Sequence, residues 1–133
     1  MESKRPPLTV AIDFDGTLCD ACFPDIGTIK EGAREALQFF KDLGYRIIIY
    51  SCRTCHWHHD IFGGSVDEPS MERTTVRQMV AWLDSNGLPY DLVDDGSRGK
   101  VVADYYIDDK AIRFDNNWPE IQFFVGVSHA ASN

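Results

Sequence analysis

Leu8-Thr9-Val10-Ala11-Ile12-Asp13-Phe14-Asp15-Gly16-Thr17 decides the fold: an apolar, β-branched run ends abruptly in two aspartates and a glycine. Such a run reads as a buried strand. Successive strand side chains alternate faces, so Asp13 and Asp15 are expected on one side, where their repulsion has to be offset by a cation or by protonation of one of them. Gly16 then lets the chain leave the strand sharply. The competing reading is an acidic turn after a strand, with no further role.

Two further runs end in chemistry-bearing residues. Tyr45-Arg46-Ile47-Ile48-Ile49-Tyr50 reads as a strand that stops at the hydroxyl of Ser51. Residues 103–107 read as another, preceded by Lys100 and ending in Asp108-Asp109. Ahead of the first of these, Thr28-Ile29-Lys30-Glu31 has the form of a capping box, followed by Ala33, Ala36, Leu37, Phe40 and Leu43 at helical spacing until Gly44. Ser70 opens a second helix with Val76, Met79, Val80 and Leu83 on one face, closed by Gly87 and Pro89. These stripes are core positions. Tyr90 to Val93 reads as a short strand and residues 94–99 as a turn. Trp118-Pro119-Glu120 opens a short helix or turn into Ile121-Gln122-Phe123-Phe124-Val125, expected as a last strand. Strands alternating with helices imply right-handed crossovers: a Rossmann-like α/β three-layer sandwich with a mainly parallel sheet, its ligands outside the carboxyl ends of the strands. All four candidate elements sit at or near such ends.

In that order, Asp13-Phe14-Asp15-Gly16-Thr17, Ser51, Lys100 and Asp108-Asp109 resemble the four motifs of the haloacid dehalogenase-like superfamily of phosphohydrolases, over nearly the whole chain. Ser51-Cys52-Arg53 and Ala103-Asp104-Tyr105-Tyr106-Ile107-Asp108-Asp109 are similar to a small branch without a cap domain. The resemblance implies Mg²⁺-dependent phosphatase activity through an aspartyl-phosphate. Asp13 is then the nucleophile, Asp15 the acid and base, and Ser51 and Lys100 the ligands of the phosphoryl oxygens. Mg²⁺ is expected on Asp13, the backbone carbonyl of Asp15, and Asp108. Asp109 is either a further metal ligand through water, an orienter of Lys100, or a solvent-facing turn carboxylate. Gly16, Thr17 and Arg53 are expected beside the substrate. The second aspartate favours phosphoryl transfer over dehalogenation. A phosphotransferase of the same fold and a non-catalytic metal-binding or interaction module are the alternatives, and the complete motif set counts against the module.

At 133 residues, with 44% hydrophobic residues, the chain reads as one domain, with residues 1–7 and 129–133 as loose tails. It has neither an apolar stretch near 18 residues nor an apparent signal segment, so a cytoplasmic, soluble protein is expected, with no membrane partner. A net charge of −8 with only 13 Lys plus Arg argues against extended nucleic-acid binding. A small phosphorylated metabolite, a nucleotide or the phosphorylated end of a larger molecule stays compatible, and no signature fixes an oligomeric state.

Two features lie outside the motif set. Residues 52–69 form an unusually long connection bearing Arg53, His56, Trp57, His58, His59 and Gly63-Gly64, either a partial lid over the site or a decorated surface loop. Cys19-x-x-Cys22 and Cys52-x-x-Cys55 follow neighbouring strands and have the spacing of a structural Zn²⁺ site, although a flap near an active site often has to stay movable.

Overall fold

Thr9–Asp13 forms the strand that its apolar run predicts, β1, with Val10, Ala11 and Ile12 all buried. The structure, a computed structural model, describes residues 7–54 and 69–132, and only the backbone of 69–74. The long 52–69 connection, with Cys55, His56, Trp57, His58, His59 and Gly63-Gly64, therefore lies mostly outside the described residues.

After β1 the chain makes an antiparallel hairpin, β2 (Cys19–Cys22) and β3 (Asp25–Ile29), joined through a cis Phe23-Pro24 peptide. Helix α1 (Ala33–Asp42), strand β4 (Arg46–Tyr50), a 3-10 turn at Cys52–Thr54 and helix α2 (Pro69–Ser85) follow. Strands β5 (Leu92–Val93) and β6 (Tyr105–Ile107) precede a last helix, α3 (Trp118–Ala131). The main sheet has the order β5-β4-β1-β6 and every pairing in it is parallel, with helices flanking it. This is the expected α/β architecture. Val10 stands opposite Ile47 and Ile12 opposite Ile49 on one side, and Ile12 opposite Ile107 on the other.

The core is built on one sheet face. Val10 and Ile12 from β1 and Ile47 and Ile49 from β4 meet Ala33 and Leu37 of α1 and Met79 and Leu83 of α2. Those helical positions are the ones the 3.6-residue spacing selected. Leu43, counted with them in the sequence, is 58% exposed because α1 ends at Asp42 and Gly44 turns the chain away with φ +86°. Two aspartates stitch the strand entries: the Asp104 carboxylate accepts from Thr9 N at 2.7 Å, and the Asp91 carboxylate accepts from Ile47 N at 2.7 Å. Each satisfies a backbone donor where the ladder begins, which buried or half-buried backbone requires.

Three expectations are corrected. Thr28 and Ile29 belong to β3, not to a helix N-terminus: Ile29 pairs with Cys19, and α1 begins behind Gly32 with no side-chain cap. β-Branched residues with a strand partner in reach favour the ladder over the cap. Residues 121–125 are helical within α3, not a strand; a five-residue apolar run reads either way, and Pro119 in the first turn favours the helix. Residues 129–131, expected as a loose tail, continue that helix, which places no residue in the core. Among the described residues no helix is long and apolar enough to cross a membrane.

Ile49→Ala should destabilise the fold by roughly 2–5 kcal/mol, since the fully buried side chain leaves a cavity between β1, β4 and the helices. Leu43→Ala should stay within about 0.5 kcal/mol. Urea denaturation of the two variants checks both.

Candidate active site

Parallel pairing brings the carboxyl ends of β1 and β6 side by side, and the register that puts Ile12 opposite Ile107 brings Asp13 next to Asp108. Asp109 follows directly. One carboxylate oxygen from each of Asp13, Asp108 and Asp109 lies within 4.8 Å of the other two, the one such ligand group of three among the described residues. The turn after β1 completes the cluster. The Phe14 carbonyl accepts from Thr17, Leu18 and Cys19 N, coiling the chain so that Gly16 adopts φ +87°. A Cβ on Gly16 would stand 2.4 Å from an Asp109 carboxylate oxygen, so any other residue would push that carboxylate aside and would also have to adopt a strained positive φ. Thr17 Oγ1 accepts from Asp109 N at 3.1 Å and lies 3.1 Å from Asp13 Oδ2, to which it donates.

Three carboxylates this close do not all ionise unaided. Burial pushes the Asp13 carboxyl from 3.8 up to about 7, helped by a hydrogen bond with the Asp109 carboxyl and by the charge of Asp108. Asp108 is itself fixed by two donors, Tyr50 OH at 3.0 Å and Lys110 N at 2.8 Å. Burial, with Asp108 behind it, holds the proton on the Tyr50 phenol. Three hard oxygen donors gathered at one point, one of them retaining a proton, are a donor set that fits Mg²⁺.

Asp15 is placed elsewhere. Strand alternation stops at Asp13, and the coiled turn carries the Asp15 carboxylate to Arg53 instead of beside Asp13. Arg53 Nε donates to Asp15 Oδ2 at 2.6 Å and its NH2 donates to Oδ1 at 2.7 Å, a two-pronged pair with the guanidinium buried. The expected repulsion between the two motif aspartates is thus relieved by separation and by an arginine. Arg53, expected beside the substrate, lies under the hairpin and against Asp15.

Ser51, at the end of β4, is buried; its Oγ accepts from Arg53 N at 3.0 Å, which leaves its own O–H to donate. Lys100 is exposed, its ammonium 4.9 Å from the Tyr106 ring centroid, and it makes no ion pair with the acidic trio among the described residues. Of the cysteines, Cys19 is buried and directs Sγ to the Phe14 carbonyl, with its thiol pushed up to about 11 by burial and by the charge of Asp15. Cys22 and Cys52 are exposed, and no three cysteines form a ligand group among the described residues. The Asp15–Arg53 pair and the Tyr50–Asp108 bond had no sequence signal beyond the motif positions, because both depend on which turn meets which strand end.

No protein-family profile matches the chain. Over 80 residues, 59% of this chain, it is 39% identical to a protein of Chlorobaculum tepidum with the provisional name 5'(3')-deoxyribonucleotidase. The aligned part spans 33% of that relative's length. Among solved structures, a conserved protein from Bacteroides thetaiotaomicron has the same fold with a TM-score of 0.56 and 23% identity, covering 92% of this chain and 93% of that one. A protein from Vibrio cholerae has a TM-score of 0.55 and 25% identity, covering 87% and 94%.

The raised carboxyl of Asp13 has a stability consequence. Between about pH 4 and about pH 7 the unfolded chain releases a proton that the folded chain keeps, so this group lowers stability as pH rises through that window and its cost is constant above it. Without divalent cations, Asp13→Asn should therefore melt several degrees above the wild type at about pH 8, with the advantage fading toward about pH 4.5. Thermal melts at the two pH values test it.

Proposed function

We propose that this chain is a divalent-cation-dependent phosphomonoester hydrolase of the haloacid dehalogenase-like superfamily, acting on a nucleotide or another small phosphorylated molecule. The observation that carries the reading is the convergence of Asp13, Asp108 and Asp109 at adjacent carboxyl ends of parallel strands, with the buried Ser51 hydroxyl at the end of the next strand. Ligands bind at this edge of open α/β sheets. The partial identity to a relative whose name is a nucleotidase supports phosphoryl chemistry and a nucleotide substrate.

Asp13, with the side-chain carboxylates of Asp108 and Asp109 and the backbone carbonyl of Asp15, would hold Mg²⁺. When bound, the ion neutralises the acidic trio and polarises a phosphoryl oxygen. Asp13 is the nucleophile: one of its oxygens forms a bond to phosphorus as the bond to the leaving oxygen breaks. Asp15, protonated from solvent on a lone pair that Arg53 does not use, gives that proton to the leaving oxygen and then accepts one from the water that hydrolyses the acyl phosphate, releasing inorganic phosphate. Ser51 donates its O–H to a phosphoryl oxygen, and Lys100 swings from Tyr106 to supply a positive charge. Gly16 and Thr17 keep the floor of the site in place by admitting and bonding Asp109.

A panel of phosphomonoesters that includes deoxyribonucleoside monophosphates tests the reading. Phosphate release that requires Mg²⁺ and falls by roughly three orders of magnitude or more in Asp13→Asn is the expected result. A folded, Mg²⁺-binding protein that releases no phosphate from any of them would speak for a phosphotransferase or a binding module.

A further inference from the structure

Arg53 joins parts of the molecule that are far apart in sequence. Its backbone N–H donates to Ser51 Oγ at 3.0 Å and its guanidinium grips both oxygens of Asp15. The same guanidinium reaches the tip of the β2–β3 hairpin: NH1 donates to the Pro24 carbonyl at 2.8 Å and NH2 to the Asp25 carbonyl at 2.6 Å. The Phe14 and Phe23 rings lie 5.9 Å and 5.0 Å from its central carbon, one from each side of the connection it makes. The side chain is 4% exposed.

We infer that Arg53 is a positioning residue that latches the hairpin to Asp15 and aims the acid and base of the site, and that it does not hold the substrate phosphate. These bonds take four of the five guanidinium N–H groups, so a phosphate could not engage two of them without displacing Asp15 or the hairpin tip. Fork geometry explains the residue type. One planar cation meets a carboxylate on one edge and two carbonyls on the others, which the compact ammonium of lysine cannot do. The hairpin and Asp15 are therefore coupled: lifting the tip removes two of the acceptors that orient the guanidinium gripping the carboxylate. The catalytic half of this inference rests on the phosphohydrolase reading; the mechanical half does not.

Two variants and two kinds of readout separate the outcomes. In Arg53→Ala, amides of residues 19–29 should exchange with deuterium at least about tenfold faster than in the wild type, with Arg53→Lys in between. For turnover, kcat of Arg53→Ala should fall about 100-fold while KM and the inhibition constant of inorganic phosphate stay within about threefold, and low millimolar guanidinium should restore part of kcat. Unchanged hairpin exchange in both variants would overturn the latch. A phosphate inhibition constant that rises tenfold or more with kcat retained would overturn it in favour of a phosphate ligand, as would a kcat that does not fall. A wild type that cleaves no phosphomonoester, with hairpin exchange still accelerated in Arg53→Ala, would uphold the latch and defeat the phosphohydrolase reading.

Discussion

The crowding of Asp13, Asp108 and Asp109 is the constraint on which the rest of the site depends. Two adjacent parallel strands end level with each other, β1 in Asp13 and β6 just before Asp108-Asp109, so the sheet register forces like charges together. The surroundings tighten the cluster further. Gly16 is kept side-chain-free so that Asp109 can approach, Thr17 bonds both Asp109 and Asp13, and Tyr50 holds Asp108. Left to itself the cluster raises the Asp13 carboxyl to about 7, a crowding that the proposed cation would relieve.

Asp15 obeys a different constraint. It leaves the turn in the direction of Arg53, so the two aspartates of one five-residue stretch have unlike environments: one in an acidic cluster that raises its carboxyl, one on a buried guanidinium. In the proposed mechanism, environments that differ this much let two chemically identical groups take separate roles, one attacking and one moving protons. The hairpin belongs to the second environment because its tip carbonyls share the guanidinium with Asp15.

Much of this was legible in the sequence, for a simple reason. Asp13, Ser51 and Asp108 each stop an apolar run, and a parallel α/β sheet gathers such stops at one edge, so the site's members follow from where strands end. The core positions Leu37, Met79 and Leu83 followed from helical spacing. What was not legible depends on contacts between distant segments. The hairpin pairing of Ile29 with Cys19 hid behind a plausible cap at Thr28, and the five-residue apolar run at 121–125 has no intrinsic preference between strand and helix. Arg53 lies 38 residues from Asp15, and nothing in its neighbourhood says that it turns inward. The histidines and Trp57 of the 52–69 connection lie outside the described residues.

The central claim is that the acidic trio is a divalent-cation site that stores a proton until the cation arrives. Calorimetric titration of the metal-free protein with Mg²⁺ at about pH 6.5, in two buffers of different ionisation enthalpy, tests it directly. One Mg²⁺ should bind with release of a substantial fraction of one proton, and Asp108→Asn should weaken binding at least about tenfold. Binding without proton release, or no binding at all by the folded protein, would contradict it.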